Sequence, residues 1–213
     1  MKLLLTVITF LLATTWRCTA QDTTNTTPPP IVITNPIIYG DVAAGVGIAG
    51  AKGPQISTSL NYQFNRNLFI ARFVAIADLD LNATSLGPFV ALSGIKNNGY
   101  LLEYALLYGQ RFVKNGHAFS VSLGASANTR VFKFTDNNNQ KQRIEEHYIG
   151  LPFELNIMWF KATKRRFRIY HIIPVGRPTG FGGSIGFKFA GNISQHSYAA
   201  LGLVYGLGYH KHY

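Results

Sequence analysis

The sequence contains little cysteine, little charge and few acidic residues. Cys18 is the only cysteine, so no disulfide can form within the chain. Charged residues make up 14% of the 213 residues, against roughly 25% in an average soluble domain. Beyond residue 20, no apolar run approaches the roughly 20 residues that a transmembrane helix requires. These absences exclude a disulfide-stabilised fold and a helical membrane protein.

The hydrophobic content is high enough for a folded chain. Apolar residues make up 47% of the sequence, which excludes disorder for most of its length. A length of 213 residues fits one domain. The net charge is +11, but the basic residues are scattered through the sequence instead of forming one stripe. The same charge could equally meet the anionic headgroups of a membrane surface, so the charge alone does not decide the partner, and we predict no nucleic-acid partner.

The first 20 residues have the organisation of a cleavable export signal. Lys2 precedes an apolar run at residues 3–13, and Ala20 supplies the small residue expected before the cleavage site. Cleavage there leaves Gln21 as the N-terminus and removes Cys18. Lipid modification of Cys18 is the alternative, although the residues before it match such a site poorly. Residues 21–36 are rich in Thr and Pro and are predicted to form a flexible arm.

The rest of the chain alternates between apolar and small polar residues. In residues 117–130, odd positions carry apolar residues such as Phe119 and Leu123, and even positions carry small ones such as Ser120 and Ser126. A period of two predicts β-strands. Eight such segments occur, and each is about as long as a tilted transmembrane strand. They are residues 38–49, 55–64, 67–78, 100–112, 117–130, 148–160, 180–190 and 199–209.

The connections between these segments alternate between short and long. Asn65 and residues 114–116 mark short turns, whereas residues 79–99 and 131–146 are predicted to be long polar loops. This asymmetry is typical of outer-membrane barrels. We predict an all-β fold over residues 37–213, an up-and-down antiparallel transmembrane β-barrel of about eight strands. Ten strands are the alternative if residues 86–95 and 167–175 also pair, and a secreted soluble β-sandwich is the competing fold.

Three runs of the sequence resemble a known family. Residues 148–154, 187–194 and 197–203 are similar to small outer-membrane β-barrel proteins of Gram-negative bacteria, particularly the Bacteroidota type. The resemblance implies an outer-membrane location, contact with outer-membrane lipids, and recognition by the assembly machinery through a last strand ending in Tyr213. Residues 161–178 depart from the family, because they are long and basic where such barrels have a short periplasmic turn.

Charged residues on the small-residue face are predicted to lie inside the barrel. A charge that faced hydrocarbon would cost about 2–4 kcal/mol near the midplane, so we expect acids and bases to pair in the lumen. A plug of ion pairs is favoured over an ion path or gate, because eight strands leave little room for water. The predicted lumen residues are Asp41, Arg72, Glu103, Arg111, Arg130, Glu154 and Lys188.

A second basic cluster occupies the connection between the sixth and seventh predicted strands, on the periplasmic side. It is predicted to be a solvated turn, with contact to anionic lipid, a cell-wall polymer or a periplasmic partner as the functional alternative. Its members are Lys161, Lys164, Arg165, Arg166, Arg168 and Arg177.

Catalytic, cofactor and metal sites are not predicted. Two His–Ser pairs lie close in sequence, but neither has a recognisable acid partner, which a nucleophilic serine site needs. His210 and His212 could bind a metal with His171, although solvated terminal histidines are commoner. We therefore predict a non-enzymatic outer-membrane barrel with a structural or surface-interaction role. The alternatives are a narrow pore and, less favoured, a lipid-modifying enzyme. The two pairs are His117 with Ser120 and His196 with Ser197.

Overall fold

The computed structural model describes residues 35–86, 89–135, 141–169 and 172–213. The predicted signal peptide, residues 1–20, and residues 21–34 of the predicted arm lie outside the described residues. Within the described ranges, no helix is long and apolar enough to cross a membrane. The strands are β1 Ile37–Ala49, β2 Gly53–Phe64, β3 Asn67–Leu86, β4 Phe89–Lys114, β5 His117–Thr135, β6 Lys141–Phe160, β7 Arg165–Ile169, β8 Ile173–Thr179, β9 Phe181–Ser194 and β10 Tyr198–Tyr209.

Eight of these strands form a closed antiparallel barrel. Their order is β1-β10-β9-β6-β5-β4-β3-β2, and β1 closes the ring by pairing with both β10 and β2. Closure gives each barrel strand a hydrogen-bonded neighbour on both sides, which is the condition for a sheet to span lipid. The predicted up-and-down barrel of eight strands is confirmed.

The ten-strand alternative is not what the structure shows. Of the segment 86–95, the described residues 86 and 89–95 prolong the hairpin of β3 and β4, and of the segment 167–175, residues 167–169 and 173–175 belong to a separate two-stranded sheet formed by β7 and β8. Neither segment adds a strand to the ring. The β7–β8 hairpin is therefore an insertion in the connection between β6 and β9.

The long polar connections are also shorter than predicted, because most of their residues belong to strands. Residues 79–86 of β3 pair with residues 89–97 of β4, and residues 131–135 of β5 pair with residues 141–145 of β6. Residues 79–84 continue the alternation of apolar and polar residues in the sequence, but residues 89–97 and 141–145 do not. The backbone hydrogen bonds between the two arms of each hairpin hold them, and a polar sequence does not prevent such bonds.

The two ends of the barrel differ in construction. The terminal end carries residues 65–66, 115–116, 161–164 and 210–213 together with β7 and β8, and the hairpin end carries residues 50–52 and 195–197 together with the described ends of the β3–β4 and β5–β6 hairpins. At the terminal end, Asn65 and Asn115 adopt positive φ angles of 55° and 45°. Asparagine tolerates this left-handed conformation, which the tightest hairpin turns require.

The barrel wall has an apolar outside and a largely polar inside. On β5, Phe119, Val121 and Leu123 are exposed, whereas Ser120 and Ser122 are buried. The same alternation runs along β2, β6, β9 and β10. Because side chains point to opposite faces with a period of two, the sequence correctly predicted which face of each of these strands lies inside.

Candidate functional site

The centre of the lumen holds an ion network built around Arg72 of β3. Its Nη2 lies 2.6 Å from Oε1 of Glu103 on β4, and its Nη1 lies 3.1 Å from Oε2 of Glu154 on β6. Nη1 also donates to the carbonyl oxygen of Phe153 at 3.2 Å. All three charged side chains are almost fully buried. The guanidinium therefore joins β3 to the adjacent β4 and to β6, which lies three strands away around the ring.

Lys188 of β9 extends this network to β1. Its Nζ lies 2.6 Å from Oδ1 of Asp41 and 3.4 Å from Oε1 of Glu154, and it donates to Oγ of Ser59 at 3.0 Å. Asn61 donates to the second carboxylate oxygen of Asp41 at 2.6 Å. Two cations and three carboxylates from five strands thus meet across the lumen. Such pairing is what a buried charge needs to remain charged.

A buried amide that the sequence analysis missed completes the network. Asn192 of β9 donates to Oε2 of Glu103 at 2.5 Å and to Oγ of Ser126 at 2.7 Å. Its amide nitrogen also lies 3.0 Å from Oδ1 of Asn128. The only sequence signal was the position of Asn192 one residue before the exposed Ile193, on the inward-facing side of β9.

Apolar layers lie on both sides of the network. Toward the hairpin end, the lumen is filled by Ala51, Val74, Ile76, Leu101, Tyr198 and Ala200. Toward the terminal end, one buried cluster contains Ile37, Tyr39, Ala43, Met158 and Val204, and a second contains Leu68, Ile70, Ala105 and Leu107. The ion network and the polar side chains that contact it therefore lie between apolar layers, which suits a packed interior better than a water-filled channel.

Arg111 does not pair with an acid, contrary to the expectation from sequence. Among the described residues its contacts are aromatic rings and neutral acceptors: its guanidinium carbon lies 4.8 Å from the centre of the Tyr39 ring and 5.7 Å from that of Phe160. Its Nη1 donates to Oε1 of Gln63 at 2.8 Å and to the carbonyl oxygen of His210 at 3.0 Å. Cation–π contacts substitute here for a carboxylate. Arg111 and these four residues, here named the Arg111 cap, cover the lumen at the terminal end.

Arg130 lies at the opposite mouth of the lumen. Its Nη2 is 2.7 Å from Oδ2 of Asp78, and its guanidinium stacks 4.8 Å from the centre of the Phe132 ring. Asp78 was not among the predicted lumen residues, because the predicted third strand ended at that position. The side chains of this pair are 10% and 17% exposed, so this ion pair is in contact with water and is separate from the central network.

His210 is the titratable group of the Arg111 cap that lies beyond the end of β10. It stacks on Phe160 with ring centroids 5.3 Å apart, and its Nε2 lies 3.2 Å from the carbonyl oxygen of Gly182. Burial, followed by the positive charge of Arg111, lowers the pKa of His210 from 6.5 to about 4. The folded barrel therefore holds this imidazole neutral.

We expect the lowered pKa of His210 to reduce the stability of the folded barrel in mild acid. Between pH 6.5 and about 4, the unfolded chain binds a proton at His210 that the folded chain does not, so stability falls as the pH falls through this window. Urea unfolding at pH 7 and pH 4.5, followed by Trp fluorescence, measures the difference. His210→Gln should show a smaller loss between the two pH values. An identical loss in both proteins would contradict the prediction.

The predicted basic turn belongs to a small sheet and its flanks. Lys161, Lys164 and Arg166 have exposed side chains. Arg165 and Arg168 lie in β7, and Arg177 lies in β8. Arg168 pairs with Pro174 and Ile169 pairs with Ile173, so the connection includes a short hairpin.

The candidate catalytic pairs do not form a nucleophilic site. His117 is exposed and Ser120 is buried, so they face opposite sides of β5. Nε2 of His196 lies 2.6 Å from Oε2 of Glu146, so an acid partner exists that the sequence did not reveal. The hydroxyl of Ser197, however, donates to the carbonyl oxygen of Ser194 at 3.0 Å and not to the imidazole. A serine nucleophile needs the opposite arrangement.

The candidate metal histidines are not brought together by any described contact. His171 lies outside the described residues. His212 is exposed, and its Nδ1 lies 2.8 Å from the carbonyl oxygen of Asn35. Within the described part of the chain, no group of three His, Cys, Asp or Glu side chains could hold a metal ion.

The fold and lumen together define the chain as a closed, eight-stranded, antiparallel up-and-down β-barrel with an ion-paired interior. No protein-family model and no curated protein sequence matches it.

Solved structures that resemble the chain include three barrels. Neisserial surface protein A is 11% identical, with a TM-score of 0.48, over 84% of this chain and 99% of that one. The N-terminal β-barrel domain of Pseudomonas aeruginosa OprF is 8% identical, with a TM-score of 0.45, over 82% and 99%. The attachment invasion locus protein Ail of Yersinia pestis, solved with the heparin analogue sucrose octasulfate, is 12% identical, with a TM-score of 0.43, over 82% and 97%.

Proposed function

We propose that this protein is a non-enzymatic barrel of a Gram-negative outer membrane, with a closed lumen and a structural or surface-interaction role. The observation that carries the proposal is the inverted distribution of side chains. The buried set includes Asp41, Arg72, Glu103, Glu154 and Lys188, whereas large apolar side chains cover the outside. A protein in water has the opposite arrangement.

The apolar outside runs around the whole barrel. Each of the eight strands contributes exposed apolar side chains, such as Leu106 at 72% exposure and Ile149 at 86%. Monomers in water rarely expose contiguous apolar patches larger than about 300–600 Å². A complete apolar belt is stable when lipid surrounds it. One representative from each strand, in chain order, is Val42, Leu60, Phe69, Leu106, Leu123, Ile149, Phe187 and Leu203.

The hairpin of β3 and β4 supports the surface-interaction role. In the described part of the chain, residues 80–86 pair only with β4, and residues 89–97 pair only with β3. The hairpin therefore extends beyond the pairing of the rest of the ring, with both outer edges of its backbone open. Open edges bind extended segments of other proteins by adding a strand.

Two observations on whole cells and membranes test the proposal. Outer membranes run on a gel with and without boiling should give two mobilities for this protein, and carbonate should not extract it, because a closed barrel resists unfolding by detergent alone. Protease added to intact cells should cut near residues 80–97. A single mobility and recovery from the periplasm or medium would instead place the barrel in water.

The closed lumen predicts that the protein does not conduct ions. Purified protein in planar bilayers should show no steady conductance, because the central ion network and the Arg111 cap occupy the path. The measurement also decides between this function and a narrow pore. A steady conductance that changes with Glu103→Gln or Arg111→Gln would contradict the plugged lumen and establish the pore.

A further inference from the structure

The excess positive charge of the described barrel lies mostly at one end. The terminal end and the strand ends that border it, described residues 64–67, 113–117, 160–169, 172–181 and 209–213, contain nine Lys and Arg residues and no Asp or Glu. The corresponding part of the hairpin end, described residues 50–54, 77–86, 89–99, 129–135, 141–146 and 193–198, contains six basic and four acidic residues. The nine basic residues, here named the basic rim, are Arg66, Lys114, Lys161, Lys164, Arg165, Arg166, Arg168, Arg177 and Lys211.

The interior contributes nothing to this excess. Inside the lumen, Arg72, Arg111 and Lys188 are balanced by three carboxylates. The asymmetry along the barrel axis therefore comes from the exposed connections alone. Those carboxylates belong to Asp41, Glu103 and Glu154.

The basic rim surrounds the barrel instead of forming a one-sided patch. Going around the ring, the strands meet at the terminal end in four places, and each place contributes basic residues. They are the β2–β3 turn, the β4–β5 turn, the β6–β9 connection and the segment after β10. The described side chains of Arg66, Lys114, Lys161, Lys164 and Arg166 are all exposed.

Aromatic side chains lie directly next to these cations. The guanidinium carbon of Arg66 is 5.8 Å from the centre of the Phe112 ring, and Nζ of Lys164 is 5.7 Å from that of Tyr213. The exposed ring of Trp159 belongs to the same band, because Trp159 pairs with His117 and lies one residue before the end of β6. Exposed aromatic residues mark the boundary between hydrocarbon and water on a membrane barrel. The cations thus lie at the level of lipid headgroups.

We propose that the basic rim binds the anionic headgroups of phospholipids in the leaflet that surrounds the terminal end. A ring of cations at headgroup level matches a planar lipid surface on all sides. A cell-wall polymer or a protein partner would instead approach from one direction and would not require basic residues in every connection. The inference rests on the membrane-spanning function proposed above.

Trp159 reports on the lipids that contact the rim. With Trp16 replaced by Phe, Trp159 is the only tryptophan of the full chain. The protein is reconstituted into mixtures that contain either dibrominated phosphatidylglycerol or dibrominated phosphatidylcholine, and the quenching of Trp159 by each lipid gives their relative affinities. We expect phosphatidylglycerol to bind at least about twofold better at low salt, and high salt should reduce the ratio toward one.

Two matched triple variants identify the residues responsible. Lys114→Gln, Lys161→Gln and Lys164→Gln remove three rim charges near Trp159, and we expect them to bring the affinity ratio close to one. Lys52→Gln, Lys133→Gln and Arg143→Gln remove three exposed charges from the hairpin end, and they should leave the ratio unchanged. A change of mobility on boiling confirms that each variant still forms the barrel.

The possible outcomes separate the two proposals. If the two lipids quench Trp159 equally in the protein with an unaltered rim, the basic-rim proposal is overturned and the proposal of a membrane barrel stands. Quenching by neither lipid shows that the apolar belt is not in lipid, and the proposed function fails as well. Peptidoglycan gives a third outcome. If the protein sediments with isolated peptidoglycan, the rim variant alone does not, and the lipid affinity ratio of that variant is unchanged, the proposal is overturned in favour of a cell-wall polymer.

Discussion

Replacing Arg72 with Gln is expected to lower the free energy of unfolding by about 3–5 kcal/mol, because it leaves buried carboxylates without their cation. Glu103 would lose its only ion pair among the described residues, and Glu154 would retain only the longer contact to Lys188. Glutamine can donate hydrogen bonds but cannot neutralise these charges. Urea unfolding of the protein in lipid vesicles, followed by its mobility on unboiled gels, measures the change.

A surface ion pair supplies the control for this experiment. Arg143 lies 3.0 Å from Glu145, but the two side chains are 56% and 42% exposed. Arg143→Gln should therefore change stability by less than about 1 kcal/mol. Adding Glu103→Gln to Arg72→Gln should recover part of the loss of stability, since it removes one of the buried carboxylates that lost its cation. Equal effects of Arg72→Gln and Arg143→Gln would show that the central network does not stabilise the barrel.

Placing an arginine at Leu106 is expected to destabilise the barrel in a bilayer by about 2–4 kcal/mol. Leu106 is 72% exposed, lies near the middle of the barrel-forming part of β4, and pairs with Ala71 and Ala125 on the neighbouring strands. In water the same substitution on an exposed side chain would be neutral. Urea unfolding of the protein in lipid vesicles measures the change in stability. A loss of this size indicates a lipid-facing wall, and an unchanged stability indicates a water-facing one.

The same substitution placed nearer the membrane surface serves as the control. Ile193 is 62% exposed and lies one residue before the end of β9, at the hairpin end. Ile193→Arg should cost only about 0–1 kcal/mol, because arginine near the interface reaches the headgroups. Similar costs at both positions would be inconsistent with a bilayer centred on Leu106.

Strand positions and facing could be predicted from sequence because both are local. The alternation in residues 117–130 and 148–160 places Ser120 and Glu154 inside and Phe119 and Leu155 outside, as in the structure. The hairpin turn at residues 114–116 was equally predictable, since Asn115 and Gly116 accept the positive φ angles that the turn needs. Each of these features depends on residues within a few positions of one another.

The extended hairpins could not be predicted in the same way. Residues 79–84 continue the alternation for a few positions, but residues 89–99 have no regular period, and backbone hydrogen bonds hold the two arms together. The β7–β8 hairpin presents the same difficulty, because residues 161–178 include six Lys and Arg residues in 18 positions and show no sustained alternation. Such strands are held by backbone hydrogen bonds to a partner strand, and these bonds do not require a particular pattern of side chains in the sequence.

The sequence by itself determined that seven charged residues lie on the inward face of the strands, because facing follows from a period of two. Only the tertiary structure decided which of them meet. Arg72 and Glu154 are 82 positions apart, and Asp41 and Lys188 are 147 apart. Closure of the ring and the depth of each residue along the barrel axis bring these pairs together, and they leave Arg111 on the rings of Tyr39 and Phe160 instead of on an acid. Alternation specifies the side of the wall, and closure specifies the neighbours.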